Sequence, residues 1–449
     1  MNFELTKEFL ISLRRAIEKN DEKFVLENIV DLHPADIAEI LDELTTIEGK
    51  QLFQQFNEEK AADVLVELEE DVREKFLASL SSKEIAEQFI DNLESDDAAD
   101  VIGELPEQVK EEVISHLEDV DQASDIVDLL NYEEGTAGSL MGKEMIVVQE
   151  NWTIMRCTKE MRKQAEEIDF VYTVYVVTEK NQLIGTLSLK RMLLTPAKSK
   201  ITDIYNSEVI SIKATANDEE VAQIMQKYDL IALPVVDELG RLIGRITIDD
   251  VVDVIQEESE KDYQMASGIT EDVESSDKVW VLTRARLPWL LIGLLGGVFG
   301  AQVISIYEAD LGIHPEMAFF IPLIAAMGGN VGVQSSALIV QGLANNSLGF
   351  SGIIPRLYKE FLVGLLNGLI CSALILMYNL VFSDSMELSY TVSLALLAVI
   401  IFAALFGTFI PLILDKYKID PALATGPFIT TMNDILGLFI YFYIGSLLY

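Results

Sequence analysis

The sequence predicts a multidomain chain that combines α, α/β and α-helical membrane parts: a helical solenoid, a duplicated α/β unit, a connecting helix, and five membrane helices. Three observations carry this. Ala-Asp followed by apolar residues recurs at Ala35-Asp36, Ala62-Asp63 and Ala99-Asp100. A 13-residue segment repeats itself at a constant offset of 59. Five long apolar segments occupy the chain beyond about Val281. At 449 residues the chain exceeds one ordinary domain, so a soluble part and a membrane part are both expected.

Residues 1–131 read as short helical units with polar breaks, which is the pattern of a small solenoid. His33-Pro34-Ala35-Asp36 has the form of a helix start, with Pro in the first turn and an acid near the positive end of the dipole. No second His lies nearby, so His33 reads as structural rather than as a ligand. Before Arg284 the chain holds 64 of its 73 acids and 27 of its 33 bases, a net charge of about −37. Such a field repels nucleic acid and anionic headgroups and attracts divalent cations; a merely acidic, soluble surface is the plainer reading. The N-terminal stretch MNFELTKEFLISLRRAIEKND has no apolar core, so it is expected to remain uncleaved and cytosolic. Cys157 and Cys371 lie one in each part without zinc-site spacing, and neither a disulfide framework nor a thiolate site is expected.

The repeat aligns Val176–Ser188 with Val235–Thr247, and each copy reads as strand, turn, strand, helix. The copies are assigned to 132–200 and 201–258. This duplication resembles a tandem pair of CBS domains, regulatory modules with nucleotide-sized clefts. In that module a Gly, then a Thr or Ser, then an Asp at three-residue spacing contact ribose and phosphate. Gly244, Thr247 and Asp250 match; Gly185 and Ser188 match in the first copy, but Arg191 replaces the acid. Leu230 offers no ring to stack on adenine, whereas Tyr172 does. ATP in this cleft, or a cleft filled by its own side chains, are the two open readings.

From Asp249 to Asp262 carboxylates are dense, and Asp250, Asp253, Glu257 and Lys261 share one helical face. Like charges there need a cation or an opposing base to offset them. Residues 259–283 are assigned as a connecting helix, with about Asp262 to Val281 running helically towards the first span despite Gly268.

The membrane segments are Leu287–Tyr307, Met317–Leu343, Phe361–Phe382, Leu388–Leu414 and Ala422–Leu448, within a membrane domain assigned to 284–449. Basic residues occur in alternate loops, which predicts a cytosolic N-terminus and an external C-terminus in the cytoplasmic membrane. Two spans read as interrupted. Met327–Ser336 contains glycines, Asn330 and Gln334, which suit a wet cavity, although glycine also serves close helix packing. In the fifth, Pro427 is expected to free a carbonyl, and Asp434 is the only charged residue from Pro421 to Tyr449. An acid at membrane depth needs water, a cation or a partner; a helix-packing hydrogen bond is the plainer alternative. A lone carboxylate with neutral oxygens suits magnesium, which keeps several of its waters. Manganese and cobalt are not distinguished by such a site.

Acidic solenoid, paired repeat, connecting segment and five spans, in this order, resemble the MgtE family of magnesium channels over essentially the whole chain. Local matches are Tyr132–Gly138, Gly328-Gly329-Asn330 through Gln334-Ser335, and Asp420-Pro421-Ala422 through Asn433-Asp434. The resemblance implies a homodimer with its pore on the two-fold axis, Asp434 binding hydrated Mg2+, Asn330 as its companion and Asp420 near the cytosolic mouth. It implies regulatory Mg2+ sites at Asp63, Asp96 and Asp100, at Glu219 and Asp229, and at Asp250, Asp253, Glu258 and Asp262 towards a "plug" helix. Closure by the transported ion would follow, with bridging cations offsetting carboxylate repulsion. Val333, Gly426 and Lys261 depart from the family pattern. A membrane-anchored sensor of Mg2+ or adenine nucleotide that conducts nothing is the second class. No Walker loop, nucleophile elbow or metal triad points to an enzyme.

Overall fold

The computed structural model describes residues 3–448 apart from 20, 166–167, 169, 272, 274–276, 345–351, 384 and 425. Its contacts divide the chain into two units, Met1–Ile255 and Gln256–Tyr449.

In the first unit, short helices from Lys7–Glu18 to Val120–Leu129 form the solenoid. Their starts are written in the sequence as caps. Thr45 and Ser81 each accept from the backbone three residues on, while Glu48 and Glu84 bond back to the cap amide, giving two capping boxes. His33 caps Pro34–Asp42 by accepting from the Ala35 amide at 3.3 Å, in the structural role expected for it. Ala62 and Ala99 are buried at helix contacts, and Asp63, after the first of them, is exposed. One apolar core runs from Leu13 through Leu129 into Met141, Ile212, Leu233 and Ile246, so the solenoid and the second repeat share their interior. The first repeat has its own core around Ile146, Cys157 and Val176.

The two repeats form matching three-stranded sheets: β1 (Ile146–Gln149), β2 (Val174–Val177) and β3 (Leu183–Leu187); β4 (Ile212–Lys213), β5 (Ala232–Val236) and β6 (Leu242–Thr247). In each, the first pair is parallel and the second antiparallel. The predicted offset holds in detail. Asn181 and Gly240, 59 apart, both adopt positive φ at the turn, and the register shifts at Val176/Val177 and Val235/Val236. The copies also bond reciprocally, Leu183 N to Gly240 O at 3.0 Å and Leu242 N to Asn181 O at 2.9 Å.

The helix after β6 runs unbroken from Ile248 to Ala266. It does not continue to the first span as expected: Gly268 at φ +84° turns the chain, and the next helix starts at Val279. Among the described residues, five helices are long and apolar enough to cross a membrane: Val279–Ile306, Pro315–Ala344, Ile353–Phe382, Met386–Lys416 and Gly426–Leu448. The fourth lies innermost, half buried, packed against the second, third and fifth.

Neither expected interruption is present. Ile321–Ala344 is a continuous helix, and its glycines serve close packing. A β-carbon on Gly328 would meet Val399 at 3.2 Å, one on Gly332 would meet Ile429 at 2.8 Å, and one on Gly407 would run into the Gly332 carbonyl. Pro427 sits in the first turn of Gly426–Leu448, where an amide has no partner to lose, so it starts this helix rather than breaking it. Glu360, expected to precede the third span, lies within its helix and accepts from Ser335 Oγ at 2.6 Å. A Gly407→Ala change is expected to force the second and fourth spans apart and destabilise the membrane unit by about 1–3 kcal/mol, read as an earlier loss of the monodisperse peak on heating in detergent. An unchanged melting profile would show that the spans tolerate separation.

Candidate cation sites

In the first unit, the helix Ser95–Gly103 brings Asp96, Asp97 and Asp100 to Asp250 at the start of the helix after β6. Asp250 is the hub, since its charge acts on all three. Asp96 is buried, and desolvation, then the charges of Asp250, Asp97, Glu144 and Glu94, hold its carboxyl well above the usual range. Desolvation and Asp250 push Asp97 up to about 7, and the same causes outweigh Arg73 to push Asp100 up to about 6. Asp250 itself is raised to about 6 by desolvation, against the Thr247 hydroxyl and amide that donate to its Oδ2 at 2.8 and 3.2 Å. Carboxylates raised in this way are short of positive charge.

These acids bind protons more tightly in the compact arrangement than in the open chain, so its stability falls as pH rises from the ordinary carboxylate range through about 6 to 7. Metal-free protein is therefore expected to resist proteolysis of this unit better at pH 5.5 than at pH 8, and added Mg2+ should close the gap. Equal cleavage at both values in chelator would contradict the repulsion.

Sequence reasoning passed over four residues here. Glu94 and Asp97 flank Asp96, and Glu144 sits in the segment before β1, where Ser95 N and Oγ donate to its two oxygens at 2.9 Å. Glu94, Asp96 and Glu144 each place an oxygen within 4.8 Å of the others. Arg245 of β6 donates to Glu94 Oε2 at 2.8 Å and to the Glu144 carbonyl, supplying positive charge to this edge of the cluster. An arginine in the apolar strand LIGRIT was the available signal.

The other expected regulatory residues of the first unit are exposed. Asp63, Glu219 and Asp229 are exposed, Asp229 being the left-handed cap of Asp218–Tyr228. Asp253 is exposed one turn beyond Asp250, and desolvation and Asp249 raise its pKa. For the nucleotide cleft, Ser188 is exposed at the head of Leu189–Leu193, Gly244 is pressed against Met141, Thr247 and Asp250 bond to each other, and Tyr172 has the Arg245 guanidinium 5.5 Å from its ring centroid.

In the second unit, Asp434 lies against the second span: a β-carbon on Gly329 would sit 3.5 Å from its Oδ1. Asn330 is exposed on that span. Asn433 is buried on another face, pressed on Gly332, with neither side-chain polar atom hydrogen-bonded among the described residues. Asp420 Oδ1 accepts from Ala422 N at 2.8 Å at the head of the fifth span. Desolvation, then the charges of Asp420 and Glu258, raise the pKa of Asp262. Lys261 pairs with Glu258 at 2.9 Å, so this departure neutralises an acid within its own helix. A cavity of about 740 Å3 lies where Gly268 meets Pro427, walled by Arg286, Trp289 and Thr430.

Comparison with known proteins matches this arrangement end to end. Residues 32–135 match the MgtE intracellular N domain, 137–196 and 201–257 the CBS domain, and 321–444 the divalent cation transporter family MgtE. The magnesium transporter MgtE of Thermus thermophilus is 31% identical over 448 residues, 99% of both chains. This chain belongs to the MgtE family. The Bacillus subtilis magnesium transporter MgtE is 35% identical over 71% of this chain and 70% of its own length. Among solved structures, the cytosolic domain of the Mg2+ channel MgtE in complex with ATP superposes with a TM-score of 0.50 at 32% identity, covering 55% of this chain and 99% of that one. The soluble part of a magnesium transporter gives the same TM-score at 29% identity, covering 56% of this chain. The MgtE arrangement of helical N domain, CBS pair and apolar helices is thus the architecture found here.

Proposed function

We propose that the chain carries Mg2+ across the cytoplasmic membrane as a homodimeric channel that closes when Mg2+ binds its acidic soluble part. The single observation behind the pore is Asp434, the one charged side chain of the fifth span, set against Gly329 of the second with Asn330 beside it in sequence. One carboxylate with neutral oxygens favours an ion that retains its water. Its cost at membrane depth is hard to explain in a protein that only senses.

Closure is supported by charge. Asp96, Asp97, Asp100 and Asp250 repel one another when compact, and a divalent cation between them removes that repulsion. The helix that carries Asp250 in its first turn runs on to Asp262 without a break, a continuous element through which ion binding at its start is transmitted. With the N-terminus cytosolic, the ion that accumulates is the ion that closes the path. Adenine nucleotide, named for the cytosolic domain of a relative, has Tyr172, Ser188, Gly244, Thr247 and Asp250 as its candidate contacts. Uptake of Mg2+, Mn2+ and Co2+ into liposomes holding the purified protein tests the transport reading. Mg2+ entry above that of empty liposomes is expected, and no entry of any of the three by folded protein would leave the sensor reading in its place.

A further inference from the structure

Arg245 has no counterpart in the duplication. The equivalent position of the first copy, 59 residues earlier, is Thr186, and β3 and β6 are otherwise matched strands. The arginine is therefore not required by the repeat's own fold. It is also costly to place: the residue is 4% exposed, and a guanidinium that deep needs partners for its charge and donors.

Those partners come from outside the strand. Nη2 donates to Glu94 Oε2 at 2.8 Å, across 151 residues of sequence, and Nε donates to the Glu144 carbonyl. The guanidinium lies over the Tyr172 ring. Its backbone pairs with Gly142 through bonds of 2.8 and 2.9 Å, where a β-carbon on Gly142 would strike Asp96. Ser95 completes the junction by donating to both oxygens of Glu144 and accepting from the Lys143 amide at 2.9 Å. Glu94 and Ser95 open the last but two of the solenoid helices, whereas Arg245 and Glu144 belong to the paired repeats. The contact thus joins two domains.

We propose that Arg245 is a built-in counter-cation that holds the solenoid on the second CBS repeat without metal, and thereby sets how much Mg2+ closure requires. Glu94, Asp96 and Glu144 gather three carboxylates in one place. Arg245 offsets one of them permanently, whereas a bound ion offsets its neighbours only while present. The guanidinium is a positioning residue: it acts on the Asp96–Asp250 cluster through the position of the Ser95–Gly103 helix. Its effect on the closing concentration rests on the feedback reading above; its effect on domain docking does not.

The test uses the full chain in liposomes, comparing the parent with Arg245→Gln, Arg245→Lys, Glu94→Gln and the Arg245→Gln/Glu94→Gln double variant. Protease cleavage of the soluble part is followed in chelator and across a Mg2+ titration. In chelator, Arg245→Gln is expected to cleave about tenfold faster than the parent, the scale of one charge-assisted hydrogen-bonded pair. It should also need more Mg2+ for protection, with protection recovered at saturating Mg2+. Arg245→Lys should fall between, since one ammonium cannot reproduce the two-sided fork. In the Glu94→Gln background, Arg245→Gln should add little, which a packing role alone would not produce. Parent-like cleavage of Arg245→Gln in chelator, or an undiminished effect in the Glu94→Gln background, overturns the proposal. If Arg245→Gln does not accumulate folded, Arg245→Lys and Glu94→Gln carry the comparison, and parent-like cleavage by both has the same meaning. Uptake that ignores Mg2+ in the parent defeats the feedback reading while the chelator result stands by itself.

Discussion

Asp434→Asn is expected to lower Mg2+ uptake by about two orders of magnitude while the protein still inserts, folds and elutes as the parent does. The change keeps the size of the side chain and its neighbour Gly329 in place, and removes the one negative charge of the fifth span. A cation loses its charged partner at a depth where water screens poorly, a loss of about 3 kcal/mol on the scale of charged hydrogen bonds, and each 1.4 kcal/mol is about tenfold. Asn330→Ala should cost less, because it deletes a neutral oxygen. Uptake by Asp434→Asn within about threefold of the parent would remove the carboxylate from the pathway and leave Asp434 a packing residue.

The second large effect is expected at Asp250. Its substitution acts twice, with opposite signs. Without metal, Asp250→Asn relieves repulsion felt by Asp96, Asp97 and Asp100, so the compact arrangement gains stability in chelator. With metal, the hub of the cluster is missing, so less is gained on binding. Both effects flatten the Mg2+ response. The ratio of uptake at low to high cytosolic-face Mg2+ should fall several-fold, on the order of one charged contact, even though Asn retains an oxygen to accept from Thr247. A parent-like ratio would show that the cluster reports on something other than closure.

How much of the fold is legible in the sequence depends on how local its determinants are. Caps such as Thr45 with Glu48 lie three residues apart, and the repeat declares itself by a fixed offset that the structure carries down to the Asn181 and Gly240 turns. Apolar length alone located the five helices. The structure differs from the sequence expectation where a residue type has two uses. Glycine in Met327–Ser336 reads as a break, but a glycine needs no break when another helix fills its missing side chain, as Val399 does at Gly328 and Ile429 at Gly332. Pro427 frees a carbonyl only inside a helix, and here it stands in the first turn. Gly268 works the other way, turning the chain just after Ala266 where the helix is expected to run on towards the first span. The Arg245 and Glu94 pair lay beyond reach because 151 residues separate its members, and nothing in either segment names the other. Glu360 and Ser335 show the same difficulty on a smaller scale.

One ion is proposed both to pass Asp434 and to close the path from the cytosolic side. This is tested most directly by following Mg2+ uptake into oriented proteoliposomes while cytosolic-face Mg2+ is stepped upward, with protease accessibility of the soluble part read on the same vesicles. Uptake is expected to fall and protection to rise over one concentration range, with Asp250→Asn blunting both together. Uptake that stays constant while the soluble part becomes protected would contradict this, because compaction would then be uncoupled from the pore.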